Sequence, residues 1–434
     1  MDWYVFLSGG FGLLLVLFTA GLPVFVAFLA MNILGLVLLT GDLSGVSLIV
    51  SSMYATSTSV SLAAIPMFIL LGEILFRTGS VAILFDAVDA LVGNFRARLF
   101  TVCVVLSTLF GALSGSAMAV TAMMGSSLLP EMVERRYDRR MSIGAIFAGA
   151  SLAPIIPPSI MAIVLGMLAK VSIASLLVAG ILPGLVLAAI FFVYLMVRAR
   201  IAPELAPASP RVDAPAMERL ATASRALPFL LIIATILGLI LGGVATPTES
   251  AAMGVVAALA VTAAMGKLTL SGLREALGST AWITAIILII MACSVSFSQV
   301  LNMSGATSTL VRAVTELDWD RWMMFAILQV LPFVLCMFVD QIALMIMLVP
   351  IYLPIVGALA FDPVWFWLIF LINMSVGGIT PPFGYTLFAL KGVAPDVPVQ
   401  EMYRAVIPFI LIFAAAIVGF ALMPEIVTYL PSLM

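Results

Sequence analysis

The sequence predicts an all-α polytopic membrane protein. Of its 434 residues, 64% are hydrophobic and only 9% are charged, and the mean hydropathy is +1.27. Soluble domains carry about 25% charged residues, so this composition cannot cover a water-exposed surface. It excludes a soluble enzyme, a nucleic-acid binder and a disordered chain. Long apolar runs in place of short alternating segments favour membrane helices over a β-barrel.

Composition also limits the chemistry. The chain has no His, so a His metal site, a Ser-His or Cys-His nucleophile and a His proton relay are excluded. The cysteines Cys103, Cys293 and Cys336 lie in separate apolar runs and are predicted to pack in the core without a disulfide. The motif G-x-x-x-x-G-K-[ST] of P-loop nucleotide sites is absent. The first apolar run, 3–20, lacks a signal cleavage pattern and is predicted to be the first span.

A helix needs about 20 apolar residues to cross the hydrocarbon layer. The predicted crossings are 3–21, 22–40, 60–76, 141–170, 172–198, 226–244, 247–265, 280–303, 364–391 and 405–431. The apolar stretches 99–130 and 322–356 contain polar, Gly-rich or acidic interruptions, which predict two re-entrant hairpins. The segments 44–58, 80–95, 268–279 and 306–318 are short or amphipathic and are predicted to lie at the interface.

The basic residues orient this map. Every Lys and Arg except Lys170, Arg312 and Arg321 falls on one side of the predicted membrane. By the positive-inside rule that side is cytoplasmic, so both termini are predicted to be periplasmic. The segment 200–225 is rich in proline and scattered charge, and is predicted to be a cytoplasmic linker between the halves 1–199 and 226–434.

The two halves share features at a near-constant offset, which is 224 residues for most matches and 226 for Gly79 with Gly305 and Ala87-Val88 with Ala313-Val314. The positions that match at 224 are Pro23 with Pro247, Leu129-Pro130 with Leu353-Pro354, and Pro157-Pro158 with Pro381-Pro382. Each half holds about five predicted crossings and one hairpin. Because five is odd, the second copy enters the membrane in the opposite direction. Inverted repeats with interrupted helices are typical of secondary transporters.

Each half pairs an interrupted hairpin with a broken span. Hairpin one (about 99–130) carries its interruption at 111–117 and pairs with the break 153–159 in the span 141–170. Hairpin two (about 322–356) is interrupted at 338–341 and pairs with the break 377–384 in the span 364–391. Proline removes a backbone donor, and freed carbonyls inside a membrane need partners. A dehydrated Na⁺ is such a partner, and half-helix N-termini suit an anion. We therefore predict one cation site in each half and an anionic substrate between the tips.

Asp340 is the most informative single residue, because a carboxylate near mid-membrane costs about 2.5–3.5 kcal/mol on insertion scales. Ser116 occupies the equivalent position in the first half. Alternatives remain: Asp340 caps a hairpin helix, Ser114 and Ser116 bond to the previous turn or pack at a small-residue face, and the Pro-Pro pairs only kink their helices. Glu249 is predicted to cap a helix with Thr246 or Thr248. The role of Glu73 is left open.

Two other functional classes fit less well. An intramembrane aspartyl protease needs two facing carboxylates, and the position equivalent to Asp340 is a serine. A passive channel does not need two occluding hairpins with paired cation ligands. Both classes are therefore weaker than a transporter.

Six motifs together are similar to those of one known family. They are Ala64-Ile65-Pro66-Met67-Phe68 with Leu71-Gly72, Phe110-Gly111-Ala112-Leu113-Ser114-Gly115-Ser116, Pro154-Ile155-Ile156-Pro157-Pro158-Ser159, Ala245-Thr246-Pro247-Thr248-Glu249 and Gly378-Ile379-Thr380-Pro381-Pro382-Phe383-Gly384. Over about 20–425 the chain resembles the large membrane subunit (M subunit, DctM-like) of tripartite ATP-independent periplasmic (TRAP) transporters.

The resemblance implies a subunit of the bacterial cytoplasmic membrane that is not an enzyme. It implies Na⁺-driven import of an organic acid, such as a C4-dicarboxylate or a sialic acid, by an elevator movement of the hairpins and broken spans. The implied partners are a small four-helix membrane subunit (Q) as a separate chain and a periplasmic substrate-binding protein. Na⁺ is the coupling ion, and no organic cofactor or nucleic acid is implied. The alternative is a stand-alone ion-coupled symporter for divalent anions or carboxylates, without a binding protein.

The resemblance also implies site residues. The Na⁺ ligands carried over are Ser114, Ser116, Ile156, Pro157 and Ser159 in the first half and Asp340, Gly378, Thr380 and Pro382 in the second. The substrate, between the tips, is expected to contact Ser114, Gly115, Ser116, Pro158, Gln341, Pro381 and Phe383.

Overall fold

A computed structural model describes residues 3–42, 45–77, 80–92, 97–207, 215–317 and 319–434. Every regular element in these ranges is helical. Of the predicted features, Arg96, Arg211 and the part of the linker at 208–214 lie outside the described residues.

The first half contributes eleven helices within the described ranges. They are α1 (Trp3–Thr19), α2 (Val24–Thr40), α3 (Val46–Ser57), α4 (Ala64–Arg77), α5 (Ser80–Leu91), α6 (Arg98–Ser114), α7 (Ala117–Glu134), α8 (Arg139–Ala150), α9 (Ile160–Leu168), α10 (Ile173–Ala179) and α11 (Ile181–Ile201). The predicted hairpin one corresponds to α6 and α7, and the predicted broken span to α8 and α9.

The rest of the described chain contributes another eleven helices. They are α12 (Ala216–Ser224), α13 (Leu227–Leu241), α14 (Pro247–Ala264), α15 (Leu270–Met303), α16 (Ala306–Glu316), α17 (Arg321–Cys336), α18 (Gln341–Ala358), α19 (Pro363–Gly377), α20 (Tyr385–Val393), α21 (Val399–Leu422) and α22 (Glu425–Thr428). Part of the predicted linker is therefore helical, since α12 lies within 200–225 and packs against α5.

Six helical segments of the described chain are long and apolar enough to cross a membrane. They are Val60–Arg77, Ile173–Ile201, Pro247–Ala264, Leu270–Met303, Gln341–Ala358 and Val399–Leu422. The bent pair Met217–Ser224 and Leu227–Leu241 gives a seventh if it is one span. Further apolar helices have 10–17 residues, so the predicted total of ten crossings stays a prediction while the polytopic character agrees with it.

The predicted helix breaks are confirmed. Residues 115–116 separate α6 from α7, and 337–340 separate α17 from α18. Both double-proline stretches, 151–159 and 378–384, lie outside α-helices, and the Pro157-Pro158 and Pro381-Pro382 bonds are cis. The alternative that these prolines only kink continuous helices is wrong, because two successive prolines remove two adjacent backbone donors and the second disfavours a helical conformation of the first.

One predicted boundary is also wrong. The sequence predicts that 268–279 is separate and interfacial, but this segment belongs to α15, a single helix of 34 residues. Thr269 caps its start by accepting a hydrogen bond from the Gly272 N–H at 3.1 Å. No proline follows Arg274 and Glu275 before the apolar part, and the Thr280 hydroxyl donates to the Ala276 carbonyl of the preceding turn at 2.7 Å in place of capping a new helix. The helix therefore continues, with its charged turns at one end.

Packing places the broken helices at the centre. Every residue of α8 from Met141 to Ala150 is buried, and so is every residue of α19 from Trp365 to Gly377. Helix α8 packs against α6 and α7, and α19 packs against α17 and α18. A second group is formed by α2, α3, α4, α14 and α15, and the two groups meet where α4 and α15 contact α6, α9 and α18. This contact surface positions the candidate site.

Candidate functional site

The tip of hairpin one is a two-residue turn with polar groups on both sides. Ser114 ends α6 and its hydroxyl donates a hydrogen bond to the Phe110 carbonyl at 2.7 Å. Ser116 caps α7, since its hydroxyl accepts from the Ala119 N–H at 3.3 Å. The predicted bonding to the previous turn is therefore present at Ser114, whereas the cap formed by Ser116 was not predicted. Each hydroxyl oxygen still has lone-pair capacity for a further partner.

Glycine lets this tip approach the broken span closely. Gly115 has φ +59°, and a Cβ atom there would lie 3.1 Å from the Ile160 backbone nitrogen. A Cβ atom at Gly111 would lie 2.9 Å from the Ala153 Cα atom. Side chains at these two positions would push the hairpin away from the 151–159 segment. The glycines therefore bring the tip of hairpin one and the double-proline break into direct backbone contact.

The tip of hairpin two is built around Asp340. Its carboxylate accepts hydrogen bonds from the Ile342 N–H at 2.9 Å and the Ala343 N–H at 3.4 Å, so it caps α18. The capping role considered for this residue is therefore confirmed. The side chain is also accessible and lines a cavity. Asp340 and Ser116 occupy equivalent places, because each is the cap of the second helix of its hairpin.

Gln341 fixes this tip to both arms of its broken span. Its side-chain amide donates to the Met374 carbonyl at 2.5 Å, and its carbonyl oxygen accepts from the Tyr385 hydroxyl at 2.9 Å. Met374 belongs to α19, and Tyr385 begins α20. Sequence reasoning did not single out Tyr385. The sequence pattern that could have indicated its role is a tyrosine after the double-proline break in an apolar segment. A buried phenol hydroxyl needs a polar partner, so such a tyrosine predicts a hydrogen bond at the site.

The double-proline segments contain backbone oxygens without protein donors. In the first segment the Pro154 carbonyl accepts from the Ser159 hydroxyl at 2.5 Å, and in the second the Gly378 carbonyl accepts from the Thr386 hydroxyl at 2.7 Å. Other carbonyls here accept no hydrogen bond from any described residue: those of Ile155, Ile156, Pro157, Ile379 and Pro381. Oxygens of this kind are ligands for hard cations.

The two tips meet at one cavity of about 440 Å³. Its lining includes five of the predicted residues: Ser114, Gly115, Ser116, Asp340 and Gln341. Four helices begin at this cavity, since Ala117 of α7, Ile160 of α9, Ile342 of α18 and Tyr385 of α20 also line it. Helix N-termini present free N–H groups and partial positive charge. The cavity therefore offers the environment that an anion requires, beside the Asp340 carboxylate and several hydroxyls that suit a cation.

Other predicted residues lie elsewhere. Ile156, Pro157, Pro158, Ser159, Gly378 and Thr380 are buried and do not line the cavity. Pro381 is half-buried and Pro382 is exposed. Phe383 is 54% exposed, and its ring centroid lies 6.1 Å from that of Phe338. The structure therefore does not bring Phe383 to the cavity, since the turn after the double proline directs it to the surface.

The two glutamates that sequence reasoning treated as weaker have different surroundings. Glu73 of α4 lines the cavity, and Arg77 binds it at 2.8 Å while also binding Glu275 of α15 at 2.6 Å. Glu249 forms a capping box with Thr246: its carboxylate accepts from the Thr246 N–H at 2.8 Å, and its own N–H donates to the Thr246 hydroxyl at 3.3 Å. The capping interpretation of Glu249 is confirmed. Glu73 is an additional cavity residue.

Among the described residues, no three His, Cys, Asp or Glu side chains gather as metal ligands. The oxygens available near the tips are hydroxyls, backbone carbonyls and the Asp340 carboxylate. The two helix-breaking tips therefore meet at one central cavity. The amino-acid sequence also matches the model of a known protein family. The model of the DctM component of tripartite ATP-independent periplasmic transporters matches residues 11–426.

The chain belongs to this family. It is 32% identical to the ectoine/5-hydroxyectoine TRAP transporter large permease protein UehC of Ruegeria pomeroyi, over 97% of both chains. It is 33% identical to the C4-dicarboxylate TRAP transporter large permease protein DctM of Pseudomonas aeruginosa, over 88% of this chain and 86% of that one. It is 28% identical to the sialic acid TRAP transporter large permease protein SiaM of Vibrio cholerae, over 98% of this chain and 97% of the other.

A solved structure has the same fold. The YdaH transporter of Alcanivorax borkumensis matches with a TM-score of 0.69 and 14% identity, over 94% of this chain and 98% of that one. The chain is thus a TRAP large permease subunit, a membrane transport protein and not an enzyme. The resemblance seen in the sequence motifs is confirmed, and the protease and channel interpretations are set aside.

Replacing Tyr385 with Phe is expected to lower both the thermal stability and the substrate affinity of this DctM-family subunit. The change leaves the Gln341 carbonyl oxygen, on a side chain that is only 1% exposed, without its donor. An unpaired buried polar group costs about 1–3 kcal/mol. We expect a lower melting temperature and a half-saturating substrate concentration raised about fivefold or more, since 1.4 kcal/mol corresponds to tenfold. Uptake kinetics and thermal denaturation measure the two effects.

Tyr352→Phe is the matched control. The Tyr352 hydroxyl is buried and has no hydrogen-bond partner among the described residues, so its removal is expected to leave stability unchanged or slightly higher. Equal losses in Tyr352→Phe and Tyr385→Phe would show that the Gln341 contact is unimportant.

Proposed function

We propose that the chain is the Na⁺-coupled import subunit for a small organic acid that a periplasmic substrate-binding protein delivers. The observation that carries the proposal is the convergence of four helix N-termini and two hairpin tips on one cavity. An anion in this cavity gains from the partial positive charge of the helix ends. The named substrates of relatives include C4-dicarboxylates and sialic acid, with ectoine as a further class.

Two cation sites accompany the anion. The first is assigned to Ser114, Ser116 and the backbone of 156–159, where the Ile156 and Pro157 carbonyls have no described donor. The second is assigned to Asp340, Gly378, Thr380 and the backbone that follows, where the Ile379 and Pro381 carbonyls are likewise free of described donors. An unpaired carbonyl inside a membrane protein is unfavourable. Two Na⁺ ions at these sites would act as partners for the unpaired carbonyls and would offset the negative charge of the substrate carboxylate.

Transport follows from an inverted repeat that moves as an elevator. Helices α6–α9 and α17–α20 have the same order of hairpin and broken span, which supports the repeat. The contact surface of α4 and α15 with α6, α9 and α18 is the proposed sliding surface. Each net positive charge that crosses with the substrate gains about 2.3 kcal/mol per 100 mV. One net charge therefore supports a gradient of about 50-fold.

The proposed assembly lies in the bacterial inner membrane with both termini in the periplasm. The family description is a tripartite periplasmic system, which supports a small membrane subunit and a periplasmic binding protein as partners. The isethionate permease DctMQ of Oleidesulfovibrio alaskensis is longer, and this chain aligns with 65% of it.

The experiment is uptake into proteoliposomes. The chain is reconstituted with the small-subunit and binding-protein products of neighbouring genes, and the ligand of that binding protein is first identified by thermal shift. Uptake is expected only with an inward Na⁺ gradient and the binding protein present. Uptake without the binding protein would favour the stand-alone symporter instead. Unchanged uptake when K⁺ replaces Na⁺ would contradict Na⁺ coupling.

A further inference from the structure

A second cavity, of about 370 Å³, lies at the other ends of the helices that line the first. On α9, Ile160 lines the central cavity, whereas Leu168 lines the second. Helix α15 shows the same division, with Ile287 at the central cavity and Asn302 at the second. The second cavity is therefore separated from the central one along the helix axes.

A thin apolar layer separates the two cavities. On α9 it consists of the buried residues 162–165, and on α18 of the buried residues 343–349. Helix α15 contacts both helices here, and the Ser294 hydroxyl donates to the Ile346 carbonyl at 3.2 Å. In this conformation the layer prevents a polar solute from passing between the cavities, because no water or ligand group can replace its hydration there.

The lining of the second cavity differs in charge from that of the first. It contains one cation, Lys170, and no acidic residue among those described, whereas the central cavity contains Glu73 and Asp340 and no described Lys or Arg. Lys170 makes no ion pair with any described residue. A fixed positive charge without an acidic neighbour is available to an external anion.

Polar side chains line the same cavity as Lys170. The Ser52 hydroxyl donates to the Gln299 side-chain oxygen at 2.7 Å, which fixes the amide and leaves its NH₂ group without a described acceptor. The hydroxyls of Ser59 and Ser298 and the amide of Asn302 line the same space. Lysine ammonium, amide N–H and hydroxyl groups are the donors that bind a carboxylate.

The position of Lys170 has a competing structural explanation. It follows the end of α9, where a cation favours the helix C-terminus, and its φ of +54° belongs to the turn that ends the helix. Helix capping alone does not require the oriented Gln299 amide or the cluster of hydroxyls on and beside α3 and α15. Their convergence favours a binding site.

We propose that the second cavity is a carboxylate-binding site, in which Lys170 and the Gln299 amide hold the transported anion on the far side of the apolar layer from the central cavity. This proposal rests on the proposed function, since it takes the ligand to be the organic acid that the chain transports. By the predicted orientation of Lys170 this is the periplasmic side, where the anion arrives.

The two sites are expected to differ in their need for Na⁺. In the central cavity Arg77 already pairs with Glu73, but Asp340 has no cationic partner among the described residues, so a carboxylate binds there only when a cation offsets the Asp340 charge. The second cavity carries its own positive charge, so a carboxylate binds there without Na⁺. The sign of the fixed charge therefore predicts that carboxylate binding depends on Na⁺ at the central cavity and is independent of Na⁺ at the second cavity.

Thiol protection in the full chain, reconstituted in lipid nanodiscs, tests this difference. Ser298→Cys places a thiol in the second cavity, and Met118→Cys places one in the central cavity. The three native cysteines are buried, so the unsubstituted chain measures background. The labelling rate with a neutral maleimide is recorded with succinate, with acetate and with the neutral analogue succinamide, in Na⁺ and in choline.

We expect succinate to slow labelling of Ser298→Cys by about threefold at about twice its dissociation constant, equally in Na⁺ and in choline, with no effect of succinamide. Lys170→Asn is expected to remove this protection, and asparagine accepts the left-handed backbone at this position. Lys170→Arg is expected to keep it. No protection of Ser298→Cys by either carboxylate, or protection that survives Lys170→Asn, overturns the proposal.

The two thiols distinguish this proposal from the proposed function. Protection of Met118→Cys in Na⁺ alone, with none at Ser298→Cys, would remove the second site and leave Na⁺-coupled transport intact. Protection of Ser298→Cys in both salts, with none at Met118→Cys, would support the second site and count against Na⁺-dependent binding at the centre.

Discussion

Asp340→Asn is expected to remove much of the Na⁺ dependence of uptake that arises at one of the two cation sites, while the protein still inserts and folds. Asparagine is as good a helix cap as aspartate, so the hydrogen bonds from the Ile342 and Ala343 N–H groups are kept. The negative charge at the cavity is lost. A charge-assisted contact contributes about 1.5–3 kcal/mol, so the Na⁺ affinity of this site is expected to fall by about tenfold to hundredfold. Uptake against Na⁺ concentration measures the change.

Asp362→Asn is its matched control. Asp362 also caps a helix, since it accepts from the Trp365 N–H at 2.8 Å at the start of α19, and it does not line either cavity. The same chemical exchange there is expected to leave the Na⁺ dependence unchanged. A normal Na⁺-to-substrate ratio in Asp340→Asn would remove Asp340 from the cation site.

Gly115→Ala is expected to give the second large effect, a loss of uptake of about tenfold or more. Gly115 has φ +59°, and a left-handed conformation costs a residue with a Cβ atom about 1–2 kcal/mol. The added Cβ atom would also lie 3.1 Å from the Ile160 nitrogen, which is backbone and cannot rotate away. The tip that carries Ser114 and Ser116 must then shift from the start of α9. Uptake rate per reconstituted molecule measures the effect.

Gly243→Ala is the matched control, because it distinguishes the backbone strain of a left-handed residue from the steric contact that a Cβ atom at Gly115 would make. Gly243 has φ +63°, and a Cβ atom added there would have no described heavy atom within 4 Å, so it carries the same backbone cost in open space. We expect a comparable decrease in thermal stability in both variants and a loss of uptake only in Gly115→Ala. Equal uptake in the two variants would mean that the close approach of the tip to α9 does not matter.

Local chemistry made the helix breaks predictable. A proline pair ends a helix wherever it occurs, so the interruptions at 151–159 and 378–384 followed from the sequence. Caps were equally local, because Thr246 and Glu249 satisfy each other within one turn. The prediction of where α15 begins was wrong for a related reason. The short, amphipathic character of 268–279 suggested a separate interfacial segment, but no residue there breaks the backbone hydrogen bonds of the helix.

Side-chain roles at the site were less predictable. The sequence allows Asp340 to be a cap or a ligand, and it allows Ser116 to be a ligand, a residue bonded to the previous turn or a small packing residue. The structure shows both as caps that also line the cavity. Sequence reasoning does not assign Tyr385 and Glu73 to the site, because their contacts join helices distant in sequence. It predicts Phe383 at the substrate, but the turn around this residue faces the surface.

The sequence alone determined that this chain lies in a membrane, where its helices break, and which family its motifs resemble, because these depend on composition and on interactions within a few residues. Only the tertiary structure decided that both hairpin tips share one cavity, that Tyr385 holds Gln341, and that a second cavity with Lys170 lies beyond an apolar layer. Those features depend on packing between helices that are far apart in the chain, and no local pattern specifies them.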